Sequence, residues 1–273
     1  MKAASVQPIA PLSWADAATI LPAPYFDGIR APLQELQCGS KVWPTLEQLN
    51  ALSSQADVRN ASGRSMRFVA PQADATSAMH YETQIANTGE VPTRDNWHDL
   101  FNALQWIAFP AMKSSLNAQH LRLLAAGGAK EATARSTPRD VLTMFDESGV
   151  VVASADDSLL ALIRKFDWRT LFVERRRDVE SKMHFVLVGH GLMEKSLKPF
   201  IGLTAKAMLL NMDVRNTSID HAVAGWLKDD ANLQSSHNLA PLPLLGIPGW
   251  DVRNESASFY QNTDYFRPGR RNS

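Results

Sequence analysis

"TRDNWHDLFNALQWIAFPAMKSSLNAQH", Thr93 to His120, reads as two helices joined at a proline, and this reading sets the class of the chain. Asn96 is a good N-cap, because its short side chain can accept a bond from the free amides that follow. Apolar residues then recur at helical spacing from Trp97 to Phe109. Pro110 suits the first turn of a second helix, where its missing N–H is not needed. That helix is expected to run to Ala126 and to end at Gly127 and Gly128.

Polar groups interrupt this apolar pair in two stripes. His98, Asn102 and Gln105 share one face of the first helix, and Lys113, Asn117 and His120 share one face of the second. If the helices fold back at Pro110, both stripes border one cleft. Asp99, in the first turn after Asn96, is explained by the free amides and the helix dipole there.

Further on, "VGHGLMEKSLKP" sets His190 and Glu194 four apart. At that spacing an imidazole and a carboxylate project the same way, so they can bind one divalent metal ion. The pair can equally act as a base and its orienter. Glycines on both sides of His190 permit another backbone to approach closely. The apolar spacing favours a continuous helix through His190 over the competing reading, in which "HFVLV" is a strand and "GHG" turns into a helix. None of these spacings matches a zincin helix, a phosphate loop or a nucleophile elbow. A histidine beside an apolar face is also most often a satisfied interior residue, and Asn102 and Asn117 can simply tie helices together.

Outward from these segments, residues 1–44 carry six prolines and predict a Pro-rich wrap with a short helix starting at Ser13. "TLEQ" at Thr45 is a capping box for a helix with Leu46, Leu49 and Leu52 on its apolar side. "MRFVA" and "HYETQIA" look like strands, the second closing at the turn "NTGE". In that strand, alternation sends either Tyr81 or Glu82 inward, and a buried Glu82 needs a partner such as Arg94. "DVLTMFDESGVVVAS" reads as a hairpin whose turn holds Asp146 and Glu147. Helical spacing dominates from Asp157 to Leu210, and residues 211–273 form an extension pinned by Trp250, Phe259, Tyr260 and Phe266. The expected architecture is α+β: one predominantly helical domain over 1–273, with its core at 45–210, a small antiparallel sheet or hairpin and a meandering Pro-rich C-terminal tail.

The bulk composition excludes several classes. Lys and Arg total 28 and Asp and Glu total 28, so no global field draws the chain to nucleic acid or an anionic membrane. "VERRRD" and the tail "FRPGRR" read as solvated surface. No apolar run approaches the roughly 20 residues of a membrane span. The single cysteine, Cys38, allows no internal disulfide and no cysteine-rich zinc site; it reads as a small buried apolar group in a reducing, cytoplasmic setting.

The order of "YETQIANTGEVPTRDNWHDLFNALQWIAFPAMKSSLNAQH", "LTMFDESGVVV", "GHGLMEKSLKP" with "GLTAKAMLL", and "PLPLLGIPGWDVRNESASFYQNTDYFRP" resembles the bacterial family known as domain of unknown function 3025. The resemblance spans about Trp14 to Pro268. Gly191 stands where that family's pattern usually has Ala, which favours a helix at this point. The resemblance implies a bacterial, cytoplasmic, single-domain protein and carries no activity or site residues with it.

The residues therefore point to a hydrolase-type enzyme using His98, His120, His190 and Glu194 for metal-assisted or acid-base chemistry. Lys113, Asn102 and Asn117 would orient a small polar or anionic ligand, with Tyr81, Glu82 and Arg94 completing the wall. A binding module for such a ligand or for a protein partner uses the same stripes without catalysis. Purely structural hydrogen-bond networks are the third reading.

Overall fold

The structure, a computed structural model, describes residues 12–37, 42–71, 78–133 and 136–269. Cys38, Pro8, Pro11, Arg270 and Arg271 lie outside the described residues. Helix α1 (Trp14–Ala17) is capped by Ser13, and α2 (Arg30–Gln37) follows a 3-10 turn at Pro24–Ile29. The capping box opens α3 (Leu46–Gln55), with Thr45 and Gln48 exchanging backbone-to-side-chain bonds in both directions. "MRFVA" supplies β1 (Arg67–Val69).

"HYETQIA" is not a strand but part of α4 (Ala78–Thr88). Tyr81 and Ile85 sit one helical turn apart, so a helix turns both inward with Glu82 beside them, which strand alternation does not. Gly89, at φ +74°, ends it, and β2 (Glu90–Pro92) pairs in parallel with β1. Then come α5 (Trp97–Ala108) and α6 (Pro110–Thr133). Asn96 caps α5 by accepting from the Asp99 amide at 2.8 Å. Helix α6 runs on through Gly127 and Gly128, because a helix already propagating tolerates glycine at about 1 kcal/mol each.

The hairpin expected at Asp140 to Ser154 is a helix followed by a strand, α7 (Thr137–Ser148) and β3 (Gly149–Ser154). Pro138 lies in the first turn of α7, and Val141, Leu142 and Phe145 are buried at helical spacing. Asp146 and Glu147 thus belong to the end of a helix. Where the spacing from Asp157 to Leu210 predicts helix alone, the chain forms α8 (Asp157–Arg164), α9 (Arg176–Lys182), β4 (His184–Leu187), α10 (His190–Ser196) and β5 (Thr204–Asn211). Helices α11 (Ile219–Lys228) and α12 (Asp230–Leu233) and strand β6 (Ala240–Pro243) complete the set.

The main sheet has the order β4-β3-β5-β6; its outer pairs are antiparallel and its central pair, β3 with β5, is parallel. Both faces are covered. Val150 and Val152 join the cluster that holds Trp168, Phe172 and Leu244, whereas Val151 joins Leu142, Phe145, Val223 and Leu227. Burial on both sides is why β3 reads as an unbroken apolar run. The fold is α+β and predominantly helical, as the sequence predicts. No helix among the described residues is long and apolar enough to cross a membrane.

The first and last described segments lie over this frame. Tyr25 donates to the carbonyl of Trp250 at 2.6 Å, and Trp14 stacks on Trp97. In the tail Trp250, Tyr260 and Phe266 are buried and Phe259 packs partly buried against them. The arginines of "VERRRD" are engaged locally: Arg175 pairs with Asp156 and Asp178, and Arg176 with Glu180 and Glu255.

One long-range contact starts α6. The Asp220 carboxylate on α11 accepts from the amides of Ala111 at 3.0 Å and Met112 at 2.7 Å, satisfying first-turn donors that Pro110 cannot cap. Asp220→Ala is expected to lower unfolding free energy in urea by ~1–2 kcal/mol. A loss of only a few tenths would show that water replaces the carboxylate there.

Candidate metal centre

Three helices deliver the site. His98 comes from the first turn of α5, Glu147 from the last turn of α7 and His190 from the start of α10. The register Val150↔Leu187 of β3 against β4 carries the chain from Leu187 straight past the end of α7. The amides of Val188 and Gly189 both donate to the Gly149 carbonyl, at 3.0 and 2.8 Å. A β-carbon on Gly189 would lie 2.4 Å from the Gly149 nitrogen. The glycine before His190 thus permits the close backbone approach that its sequence suggests. His190 stands at the first position of a helix entered from a strand, so the strand-and-turn reading is the correct one and the continuous helix is not.

The geometry of the trio is compact. Nε2 of His98 and Nε2 of His190 are 3.1 Å apart, and Oε1 of Glu147 lies 3.8 Å from the first and 3.6 Å from the second. Ligands of a tetrahedral zinc at 2.0–2.1 Å stand roughly 3.3 Å from one another, so these three atoms lie near the corners of one coordination face. His98, Glu147 and His190 form a group that can hold a metal ion. His190 is buried, with its side chain 7% exposed, while His98 at 36% and Glu147 at 43% open the site to solvent.

Nδ1 of His98 is 3.3 Å from Oε2 of Glu194, whereas Nδ1 of His190 is buried without a hydrogen-bond partner among the described residues, 3.8 Å from Oδ2 of Asp146. A carboxylate behind a ligating histidine favours the tautomer that leaves Nε2 free to bind, and Glu194 stands in that place for His98. Glu194, four residues from His190 on α10, therefore meets the histidine of another helix. Burial pushes His190 down to about 4, which keeps the ring neutral. Burial also pushes the Glu147 carboxyl up, opposed by His98. Asp146 is raised by burial too, but Lys113 and His190 outweigh that and hold it below the usual carboxylate range.

The remaining predicted residues form the interior behind the trio. Lys113 is buried and its Nζ lies 2.5 Å from Oδ1 of Asp146. Asn117 donates to Oε2 of Glu82 at 2.5 Å and to its carbonyl at 3.0 Å, and Asn102 donates to the Tyr81 hydroxyl at 2.9 Å. His120 is buried on α6 and adds to the field at Asp146 without joining the trio. Arg94 does not partner Glu82; it binds Asp99, which explains the burial of that carboxylate. Sequence reasoning missed Glu147 and Asp146 by placing them in a hairpin turn. The signal that finds them is the helical spacing of Val141, Leu142 and Phe145 after Pro138.

Burial pushes Glu82 up to about 7, with Asn117 opposing. The fold then keeps a proton that the unfolded chain releases near 4.5, so stability is highest below that pH and falls as pH rises toward 7. Glu82→Gln is expected to flatten this decline in denaturation curves, a difference on the order of 1–3 kcal/mol at alkaline pH. An unchanged slope would show that Glu82 titrates as an exposed group.

A crevice of about 670 Å³ opens at the other end of the sheet, lined among others by Asp156, Lys182, His184, Asp213 and Arg215. Its charges are largely spent on each other and on neighbours, through Arg215 with Asp213 and Lys182 with Asp178. The chemistry of the trio is not there.

No curated protein and no solved structure matches the chain. A family described as "Protein of unknown function (DUF3025)" matches residues 66–270, a stretch that contains α5, α7 and α10 and every member of the trio. That match covers more than half of the chain, and the chain belongs to that family.

Proposed function

We propose that the protein is a metal-dependent hydrolase acting on a small polar or anionic substrate. The observation that carries the reading is the convergence of two Nε2 atoms and Oε1 of Glu147 within 3.1–3.8 Å, with Glu194 behind the His98 ring. Two imidazole nitrogens 3.1 Å apart are held there by a proton shared between them or by a cation bound to both, and the Glu147 carboxylate beside them adds the negative charge that favours a cation. Three protein ligands with one side open to solvent is the pattern of catalytic rather than structural sites. A divalent ion held there would polarise a carbonyl or phosphoryl oxygen and acidify water.

The chain's own residues have separable roles. His98, His190 and Glu147 hold the ion, and Glu194, 3.3 Å from Nδ1 of His98, orients that ring. Lys113, Asn102 and Asn117, spent on interior partners, keep that scaffold rigid.

The test is metal analysis of tag-free protein purified without chelator, followed by hydrolysis assays on ester, amide and phosphoester panels. Stoichiometric zinc or manganese, with turnover lost on chelation and restored on reloading, is the expected result. Absence of metal after zinc, manganese and iron are each offered back overturns the proposal. Metal without turnover on any panel leaves the binding module for a small polar ligand as the better reading.

A further inference from the structure

We propose that Gly191 is a positioning residue for Glu147, and that the absence of a β-carbon there is what allows the carboxylate to reach the histidine pair. This rests on the metal reading above. A β-carbon built on Gly191 would lie 2.2 Å from Oε2 of Glu147 and 3.2 Å from the Glu147 carbonyl oxygen. The first distance is a collision and the second a tight contact. The carboxylate therefore occupies the space that a β-carbon at this position would fill, so this placement of Glu147 belongs to a chain with glycine here and not to one with the alanine usual in the family it resembles.

The backbone has little room to retreat. Two residues away, Gly189 is tied to the Gly149 carbonyl, and a β-carbon on Gly189 itself would strike Gly149 and Ser148 at 2.4 and 2.6 Å. The main chains of α7 and α10 are thus clamped where they cross, and a methyl group at 191 is relieved by turning the Glu147 side chain. Oε2 cannot leave α10 without carrying Oε1, the atom 3.6 Å from Nε2 of His190. Displacing that oxygen weakens the third ligand's hold without removing it. The cost falls on metal affinity rather than on the fold, because the moving group is the far end of a side chain 43% exposed, and alanine is the better helix former.

The experiment is zinc titration by calorimetry on wild type, Gly191→Ala, Glu147→Gln and the double variant, with thermal melting of each metal-free protein. Gly191→Ala is expected to bind zinc about tenfold more weakly than wild type, at the scale of lost ligand support. The effect should vanish in the Glu147→Gln background, since the two changes act through one carboxylate. The metal-free melting midpoint of Gly191→Ala should not fall. Wild-type affinity in Gly191→Ala overturns the proposal, as does an equal tenfold loss in the Glu147→Gln background, or loss of the fold in Gly191→Ala. Wild type that takes no zinc overturns the metal reading itself, a result distinct from any of these.

Discussion

Replacing His190 by alanine is expected to abolish stoichiometric metal binding, a loss larger than the roughly 10–100-fold seen when only an outer-shell partner is removed. His190 is the deepest member of the trio and supplies the atom nearest to both of the others, at 3.1 Å from His98 and 3.6 Å from Glu147. Its removal leaves two ligands, both half-exposed and on different helices, which is too few to hold an ion against water. The fold should survive, because the ring is held neutral by its burial and Asp146 keeps its pairing with Lys113. Elemental analysis and circular-dichroism melting of the purified variant check both halves. His190→Ala that retains wild-type metal content would sink the assignment of this site.

Lys113→Met is expected to be the most destabilising single change, by ~3–5 kcal/mol. The Lys113 side chain is 5% exposed, its ammonium is the counter-charge of Asp146, and it sits 5.7 Å over the Trp106 ring. Methionine fills a similar volume, so the cost is that of a carboxylate left in the interior without its cation. Replacing both members, Lys113→Met with Asp146→Leu, should recover most of the loss, since an apolar pair leaves no charge to desolvate. Urea denaturation of the single and double variants measures this. A single-variant loss below ~1 kcal/mol would mean that solvent reaches Asp146 freely.

The opening helices were legible because their signals are local. Asn96, Pro110, Thr45 and Ser13 each act within one turn, and the caps they predict are present. His98 and His190 could be singled out, but their meeting across helices depends on the β3–β4 register, which no spacing within either segment records. Around Asp146 and Glu147 the run "DESG" satisfies both a hairpin turn and a helix end. Deciding between them needed the buried face of Val141, Leu142 and Phe145. At His184 to His190, β-branched and apolar residues kept helical spacing by coincidence, and the sheet's demand for an edge strand beside β3 prevailed over local preference. Tyr81 and Glu82 were assigned alternation on too short a window to distinguish two periods.

The placement of β3 between β4 and β5 has a consequence during synthesis. Residues 149–154 are made about fifty residues ahead of β5, are buried on both faces, and find their parallel neighbour only when residues 204–211 have emerged. Until then one edge of the chain's most apolar strand has open amides and carbonyls, a template for pairing with another nascent chain. Any truncation before residue 204 removes the partner permanently. Such fragments should aggregate rather than fold, so the helices that carry the trio cannot be studied apart from the C-terminal quarter that completes the sheet.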